Sequence, residues 1–108
     1  MLKCVFYKNG EGYSGFRISG HAGYETDNGD VVCAAVSSST MLVCNTITDF
    51  FKVKADVEVL ENQITLRLLE NSKPTEQLLK SFYTHIEMIA QDYKKVKIEI
   101  KSGGKEND

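Results

Sequence analysis

An unbroken run of uncharged residues, Val31 to Thr48, places the strongest constraint on how this chain can fold. Its bulky apolar residues recur at helical spacing, at Val32, Val36, Val43, Ile47 and Phe50. Eighteen uncharged residues would also suit a membrane span, but seven of them are serine, threonine or asparagine, which is too polar for lipid. We therefore predict a core helix over about residues 31–51, and no membrane span.

The residues on either side of this helix alternate between apolar and polar, as β-strands do. The predicted strands cover residues 2–8, 13–19, 53–60, 63–69 and 95–101. Asn9-Gly10 and Glu61-Asn62 mark hairpin turns, and Pro74 suits the first turn of a second helix that ends near Tyr93. The order ββαββαβ predicts an α+β, two-layer domain over residues 1–101, in which two helices cover a mainly antiparallel sheet. We expect residues 102–108 to form a disordered tail.

Composition and charge exclude several classes of protein. The net charge of −2 and the pI near 5.7 argue against a nucleic-acid-binding protein, so we expect no direct nucleic-acid partner. The first residues lack the apolar core of a secretory signal. An odd number of cysteines, three, without an export signal indicates reduced thiols in the cytoplasm. Three cysteines and two histidines at scattered positions do not suit zinc, and we predict no metal and no cofactor.

The segment from Gly10 to Gly15 matches the nucleotide-binding pattern G-x-G-x-x-G. That pattern requires a helix directly after it, whose amino terminus meets the phosphates. Here the next residues, Phe16 to Ser19, are predicted to be extended. We therefore interpret the glycines as a hairpin turn and not as a nucleotide site.

Two residues with catalytic chemistry flank a stretch of turn-forming residues: His21 and Cys33. A thiol at a helix start lies at the positive end of the helix dipole, which favours the thiolate. A histidine on the preceding loop can accept the thiol proton, and backbone amides near Cys33 and Ala34 are candidate oxyanion donors. From spacing alone, a cysteine at this position is equally a candidate core residue.

The other titratable and hydroxyl residues near this pair have two interpretations each. Asp30 fits a cap of the helix better than a third catalytic member that orients His21. Ser37, one turn after Cys33, either bonds back to the helix or lines the site. Elsewhere, we interpret Cys4 and Cys44 as inert core residues and His85 as a surface or packing residue.

Residues 20–24 (Gly-His-Ala-Gly-Tyr) and 29–37 (Gly-Asp-Val-Val-Cys-Ala-Ala-Val-Ser) together resemble the motif of the bacterial ribosomal-processing cysteine protease family, called Prp. The length of the chain and its predicted element order are also similar to that family. The resemblance implies a catalytic cysteine at Cys33 and a catalytic histidine at His21, with the aspartate and the serine of the motif at Asp30 and Ser37. It also implies a mobile, substrate-gating loop from Gly20 to Gly29, which includes Gly23 and Tyr24.

The resemblance further implies a cytoplasmic endopeptidase, usually dimeric, whose partner is a protein substrate. That substrate is the amino-terminal extension of large-subunit ribosomal protein twenty-seven, cut after a phenylalanine. A homodimer could form through the second face of the sheet, with Phe6, Phe16 and the pair Val57 and Val59 as candidate contacts. Two alternatives remain open: a non-catalytic ribosome-assembly module and a thiol-based redox domain.

Overall fold

The computed structural model describes residues 2–20 and 27–102, with the backbone alone for residues 27–30. The elements are β1 (Leu2–Asn9), β2 (Gly12–Gly20), α1 (Asp27–Asn45), a π-helical turn (Thr46–Phe50), β3 (Ala55–Leu60), β4 (Gln63–Leu68), α2 (Lys73–Asp92) and β5 (Val96–Ser102). The predicted α+β class and the order ββαββαβ are confirmed. The π-helical turn is an addition that apolar periodicity did not reveal.

The five strands form a single sheet in the order β3-β4-β2-β1-β5. Three neighbouring pairs are antiparallel, and β5 pairs with β1 in parallel. A parallel pair needs a long crossover connection, and the chain between β4 and β5 supplies it as α2. The sheet is therefore mainly antiparallel, as predicted, with the chain's first and last strands side by side.

Both helices pack on the same face of the sheet, where aromatic rings form the centre of the core. Phe6 contacts Phe82 at 5.5 Å between ring centroids, and Phe16 contacts Phe82 at 5.0 Å. Because Phe6 and Phe16 are both 0 % exposed, the prediction that they contact a second subunit is wrong. Their rings lie under the helices and cannot contact a partner.

The opposite face of the sheet is covered by long charged side chains instead of by a second layer. Lys3 and Lys101 lie 3.6 Å and 3.9 Å from the carboxylate of Glu99. Glu99 and Arg17 are the register partners of Val5, which is fully buried although it lies outside the main core. The aliphatic parts of such side chains can shield an apolar residue while the charges remain in water.

Helix α1 combines an apolar buried face with hydroxyl groups that bond to its own backbone. Thr40 is fully buried, and its hydroxyl donates to the carbonyl of Val36 at 2.6 Å. Within the described residues, Val31–Phe50 is the one helical segment whose length and mean hydropathy of 1.5 would let it cross a bilayer. Val32, Val43 and Ile47 of this segment belong to the core cluster of the domain, so its apolar character serves the packing of α1 on the sheet.

The predicted turns and the predicted place of Pro74 in α2 are confirmed, and the structure adds a cap at Ser72. Gly10 has φ of 71° in the turn between β1 and β2, a conformation that glycine adopts without strain. The G-x-G-x-x-G segment thus forms a turn and the start of a strand, as predicted. At the start of α2, the Ser72 hydroxyl accepts a hydrogen bond from the Thr75 N–H at 3.3 Å, and Pro74 lies in the first turn.

Candidate active site

A groove of about 290 Å³ lies where the first half of α1 faces the β3–β4 hairpin. Its floor comes from the sheet, and its walls come from the helix and the hairpin. The lining residues are Leu2, Ile18, Gly20, Cys33, Ser37, Met41, Val59, Leu60, Glu61, Asn62, Gln63 and Ile64. A groove of this size accommodates a short part of an extended peptide, and its aliphatic floor favours an apolar side chain.

The helical wall of the groove is a single face of α1. Cys33, Ser37 and Met41 follow one another at intervals of four residues, which places them one above another on that face. Cys33 is partly buried and packs against the core, and it also lines the groove. A nucleophile must reach its substrate, and the groove that Cys33 lines opens to solvent.

The structure corrects the predicted start of α1. The helix begins at Asp27 instead of near Val31, so Cys33 is its seventh residue and lies beyond the first turn. The interpretation of Asp30 as the helix cap is therefore wrong, since Asp30 lies within the helix. Asp27 and Asn28, which suggested a loop, are residues that helices also favour at their beginning.

This earlier start changes the electrostatic account of Cys33. The effect of a helix dipole falls off within the first turn, so the helix start is not what activates this thiol. Inside an α-helix, backbone N–H groups donate to carbonyls four residues earlier. The amides of Cys33 and Ala34 are committed in this way, and the prediction that they stabilise an oxyanion is wrong.

The opposite wall of the groove is the polar turn of the β3–β4 hairpin. The Gly20 N–H donates to the carbonyl of Asn62 at 2.9 Å, which ties the end of β2 to this turn. Asn62 brings a carboxamide to the groove and Glu61 a carboxylate, whereas the Gln63 carboxamide donates to the Thr65 hydroxyl on the other face of the sheet. Side-chain amides are established donors to the oxyanion of acyl-transfer reactions.

Several of the predicted site residues lie outside the described residues, namely His21, Gly23 and Tyr24. The predicted loop from Gly20 to Gly29 is wrong at both ends. Gly20 is the last residue of β2, with φ of 90°, and Gly29 lies within α1. Of the predicted site residues, the structure brings Gly20, Cys33 and Ser37 together in the groove.

The other two cysteines differ from Cys33 in their surroundings. Burial raises the pKa of Cys4 to about 12 and that of Cys44 to about 11, so both are protonated at neutral pH. Cys44 follows Cys33 by eleven residues in the same helix, about 16 Å along its axis, which is too far for a disulfide. His85, on α2, is exposed. Within the described residues, no three His, Cys, Asp or Glu side chains could together hold a metal ion.

Most of the groove residues were not identified from the sequence. Met41 could have been, because it continues the four-residue spacing of Cys33 and Ser37 along one helix face. Glu61 and Asn62 carried a turn signal and no signal for chemistry. Their approach to α1 depends on the strand order, which sequence periodicity does not contain.

The chain is similar to known proteins in both sequence and fold. Residues 1–99 match the family described as cysteine protease Prp. The sequence has no significant match among curated proteins. Because the family match spans nearly the whole chain, it includes every element from β1 into β5.

Solved structures share the whole fold. The essential ribosomal processing protease Prp from S. aureus, in complex with a covalently linked product peptide, has a TM-score of 0.85 and 19 % identity, covering 94 % of this chain and 100 % of that one. The same protease with a substrate peptide has a TM-score of 0.80 and 18 % identity, covering 95 % and 100 %. SMU.848 from Streptococcus mutans has a TM-score of 0.79 and 21 % identity, covering 95 % and 96 %. With the match over residues 1–99, the chain belongs to the cysteine protease Prp family.

Proposed function

We propose that this chain is a cysteine endopeptidase of ribosome maturation that removes the amino-terminal extension of large-subunit ribosomal protein twenty-seven. The observation that carries the proposal is the placement of the Cys33 thiol in an open groove of about 290 Å³ with an aliphatic floor. Family membership supports the reaction class. The S. aureus relative, a ribosomal processing protease with a peptide substrate, supports the substrate class.

The proposed nucleophile is Cys33 and the proposed general base is His21. His21 takes the thiol proton, the sulfur attacks the scissile carbonyl carbon, and His21 then delivers that proton to the leaving amine. Water hydrolyses the resulting thioester and releases the new carboxylate. The chain order supports this pair, because His21 directly follows Gly20, which lines the same groove as Cys33.

Two further residues of the motif have proposed supporting roles. Ser37 lines the groove one turn from Cys33 and is exposed, so its hydroxyl can meet a bound peptide. We assign Asp30 to the orientation of the His21 imidazole, because the aspartate of the family motif falls on this residue. The carboxamide of Asn62 is the proposed oxyanion donor, because Asn62 lines the groove opposite the helix.

We further propose that the enzyme acts in the cytoplasm as a homodimer. Because Phe6 and Phe16 are buried, we place the interface on the helical layer, where large apolar side chains are exposed. Leu42 is 67 % exposed and Met88 is 61 % exposed. Sedimentation equilibrium should give twice the chain mass, and Leu42→Lys should shift the equilibrium toward the single chain.

The experiment that tests the proposed activity is incubation with a synthetic peptide that carries the ribosomal protein's amino-terminal extension, followed by mass spectrometry. The wild-type chain should give two fragments, with the cut after a phenylalanine. Cys33→Ala should give none, while Cys44→Ala, which removes a thiol outside the groove, should still cut. An intact peptide after incubation with the folded wild-type chain would favour the non-catalytic assembly module instead.

A further inference from the structure

Strand β3 forms one edge of the sheet, and its pairing register shows which of its backbone groups face away from β4. The Leu69 N–H donates to the Lys54 carbonyl at 2.9 Å, and the pairing continues from Ala55 opposite Leu68 to Leu60 opposite Gln63. In an antiparallel pair, hydrogen-bonded residues alternate with non-bonded residues. Residues 54, 56, 58 and 60 therefore bond to β4, and residues 55, 57 and 59 direct their N–H and C=O groups away from the sheet.

No hydrogen bond from the described part of the chain reaches these outward groups of Val57 and Val59. The opposite edge, β5, carries Lys97 and Lys101, and lysine on an edge strand discourages the addition of another strand. The sequence of β3, Ala-Asp-Val-Glu-Val-Leu, contains no lysine. The two edges of the sheet thus differ, and β3 is the one open to strand addition.

The two faces of β3 have different chemistry. Val57 and Val59 lie opposite Leu66 and Ile64, on the helical side of the sheet, and are 39 % and 56 % exposed. Val59 also lines the groove of Cys33, so the edge and the groove are continuous.

The other face of β3, away from the helices, carries two carboxylates at alternate positions, Asp56 and Glu58. Arg67 lies 3.7 Å from Asp56, whereas Glu58 has no cation within salt-bridge distance among the described residues. A strand added here would therefore meet valines on one face and acidic side chains on the other.

We propose that an extended substrate segment binds to β3 as a sixth strand, with apolar residues toward Val57 and Val59 and basic residues toward Asp56 and Glu58. This inference rests on the proposed endopeptidase function and names the chemistry of the bound segment. Backbone hydrogen bonds supply the affinity, and alternate side chains supply the specificity. The segment then leads directly into the groove at Val59.

A second copy of the chain fits this edge less well. Antiparallel pairing of two β3 strands would bring Asp56 and Glu58 of one copy beside the same carboxylates of the other. Like charges at facing positions destabilise a pair of strands. Lysine or arginine at alternate positions of a substrate strand would instead be attracted.

The first test is amide hydrogen exchange on the full-length Cys33→Ala variant, with and without the ribosomal extension peptide. The amides of Val57 and Val59 should exchange at least about tenfold more slowly with peptide bound, since each gains a hydrogen-bond partner. The amides of Asp56 and Glu58, already bonded to β4, are the internal control. Unchanged exchange at Val57 and Val59 under saturating peptide would overturn the proposal.

The second test compares the affinities of two synthetic peptides for the same variant: one alternates valine with lysine, and the other replaces each lysine with glutamine. Glu58→Lys should lower the preference for the lysine peptide by about threefold to tenfold at low salt, whereas Asp92→Lys, an exposed acid on α2, should not. The ratio of the affinities for the lysine and glutamine peptides is compared in Cys33→Ala alone, with Glu58→Lys and with Asp92→Lys. The same ratio in all three would overturn the charge pattern.

A third comparison uses methylated versions of the lysine peptide. Two peptides are compared, each methylated at one of the two alternating sets of backbone nitrogens. Only one of them should bind more weakly, because a paired strand bonds to its neighbour at every second residue. Equal weakening by both sets would contradict strand addition. Since all three tests use a variant that cannot cleave, their outcome is independent of whether wild-type cleavage is found.

Discussion

The backbone N–H of Gly20 donates to the carbonyl oxygen of Asn62 at 2.9 Å and joins the end of β2 to the turn of the β3–β4 hairpin. Gly20 adopts φ of 90°, a region that glycine enters at little cost. His21 follows directly in the sequence. The residue that precedes the proposed general base is therefore anchored to the wall of the Cys33 groove.

This anchor predicts a specific effect of Gly20→Ala. A side chain at positive φ should destabilise the fold by about 1–2 kcal/mol. Gly10→Ala is the matched control, because Gly10 also has positive φ, at 71°, with nothing within 4 Å of an added Cβ. Urea unfolding should show a similar loss of unfolding free energy in both variants. Only Gly20→Ala should lower kcat, on the order of tenfold or more, because it displaces a catalytic group. Equal kcat in the two variants would contradict a positioning role.

The three thiols should differ in their reaction with iodoacetamide. At pH 8 the buried Cys4 and Cys44, with pKa values of about 12 and 11, are almost entirely protonated and shielded. Cys33 lines an open groove, so the native chain should incorporate a single label at that residue. Unfolding in urea should expose all three. Rapid labelling of Cys4 in the native chain would show that the core opens readily.

The raised pKa values of the buried thiols also predict how stability depends on pH. An unfolded chain releases these protons near pH 9, whereas the folded chain retains them until about pH 11 for Cys44 and pH 12 for Cys4. Stability should therefore fall as the pH rises through this window, by up to about 1.4 kcal/mol per pH unit for each thiol. Urea unfolding at pH 8 and pH 10 measures the slope, and Cys4→Val should reduce it.

Gly15→Ala should destabilise the fold strongly. A Cβ at Gly15 would collide with the backbone carbonyl of Leu66 on the neighbouring strand β4, and backbone cannot move aside as a flexible side chain can. Forced separation of β2 and β4 should cost about 1–3 kcal/mol or more, since these strands lie at the centre of the sheet. Thermal unfolding followed by circular dichroism measures the loss, and an unchanged Tm would contradict the close approach of the strands.

Local signals in the sequence were enough to predict the elements. The Asn9-Gly10 and Glu61-Asn62 signals each mark a hairpin turn, the first of which lies at Gly10 and Glu11, and Pro74 lies in the first turn of α2, as predicted. The start of α1 was wrong because Asp27, Asn28 and Gly29 suit both a turn and the start of a helix. The choice between them depends on tertiary packing.

The site was only partly predictable for a related reason. Cys33 and Ser37 share one helix face, and helical spacing is a local property. The groove also needs Val59 and Asn62, which reach α1 because β4 pairs with β2. That pairing is a long-range contact, and neither hairpin carries a signal that specifies it.

The central claim is that Cys33 and His21 act as one catalytic unit, and a double-mutant cycle on cleavage of the extension peptide tests it most directly. Residues that act as a unit give strongly non-additive losses. Cys33→Ala and His21→Ala should each lower kcat/KM by at least about a thousandfold, and the double variant should be no slower than the slower single variant. Cleavage by folded Cys33→Ala at near the wild-type rate, or losses that multiply in the double variant, would contradict the account.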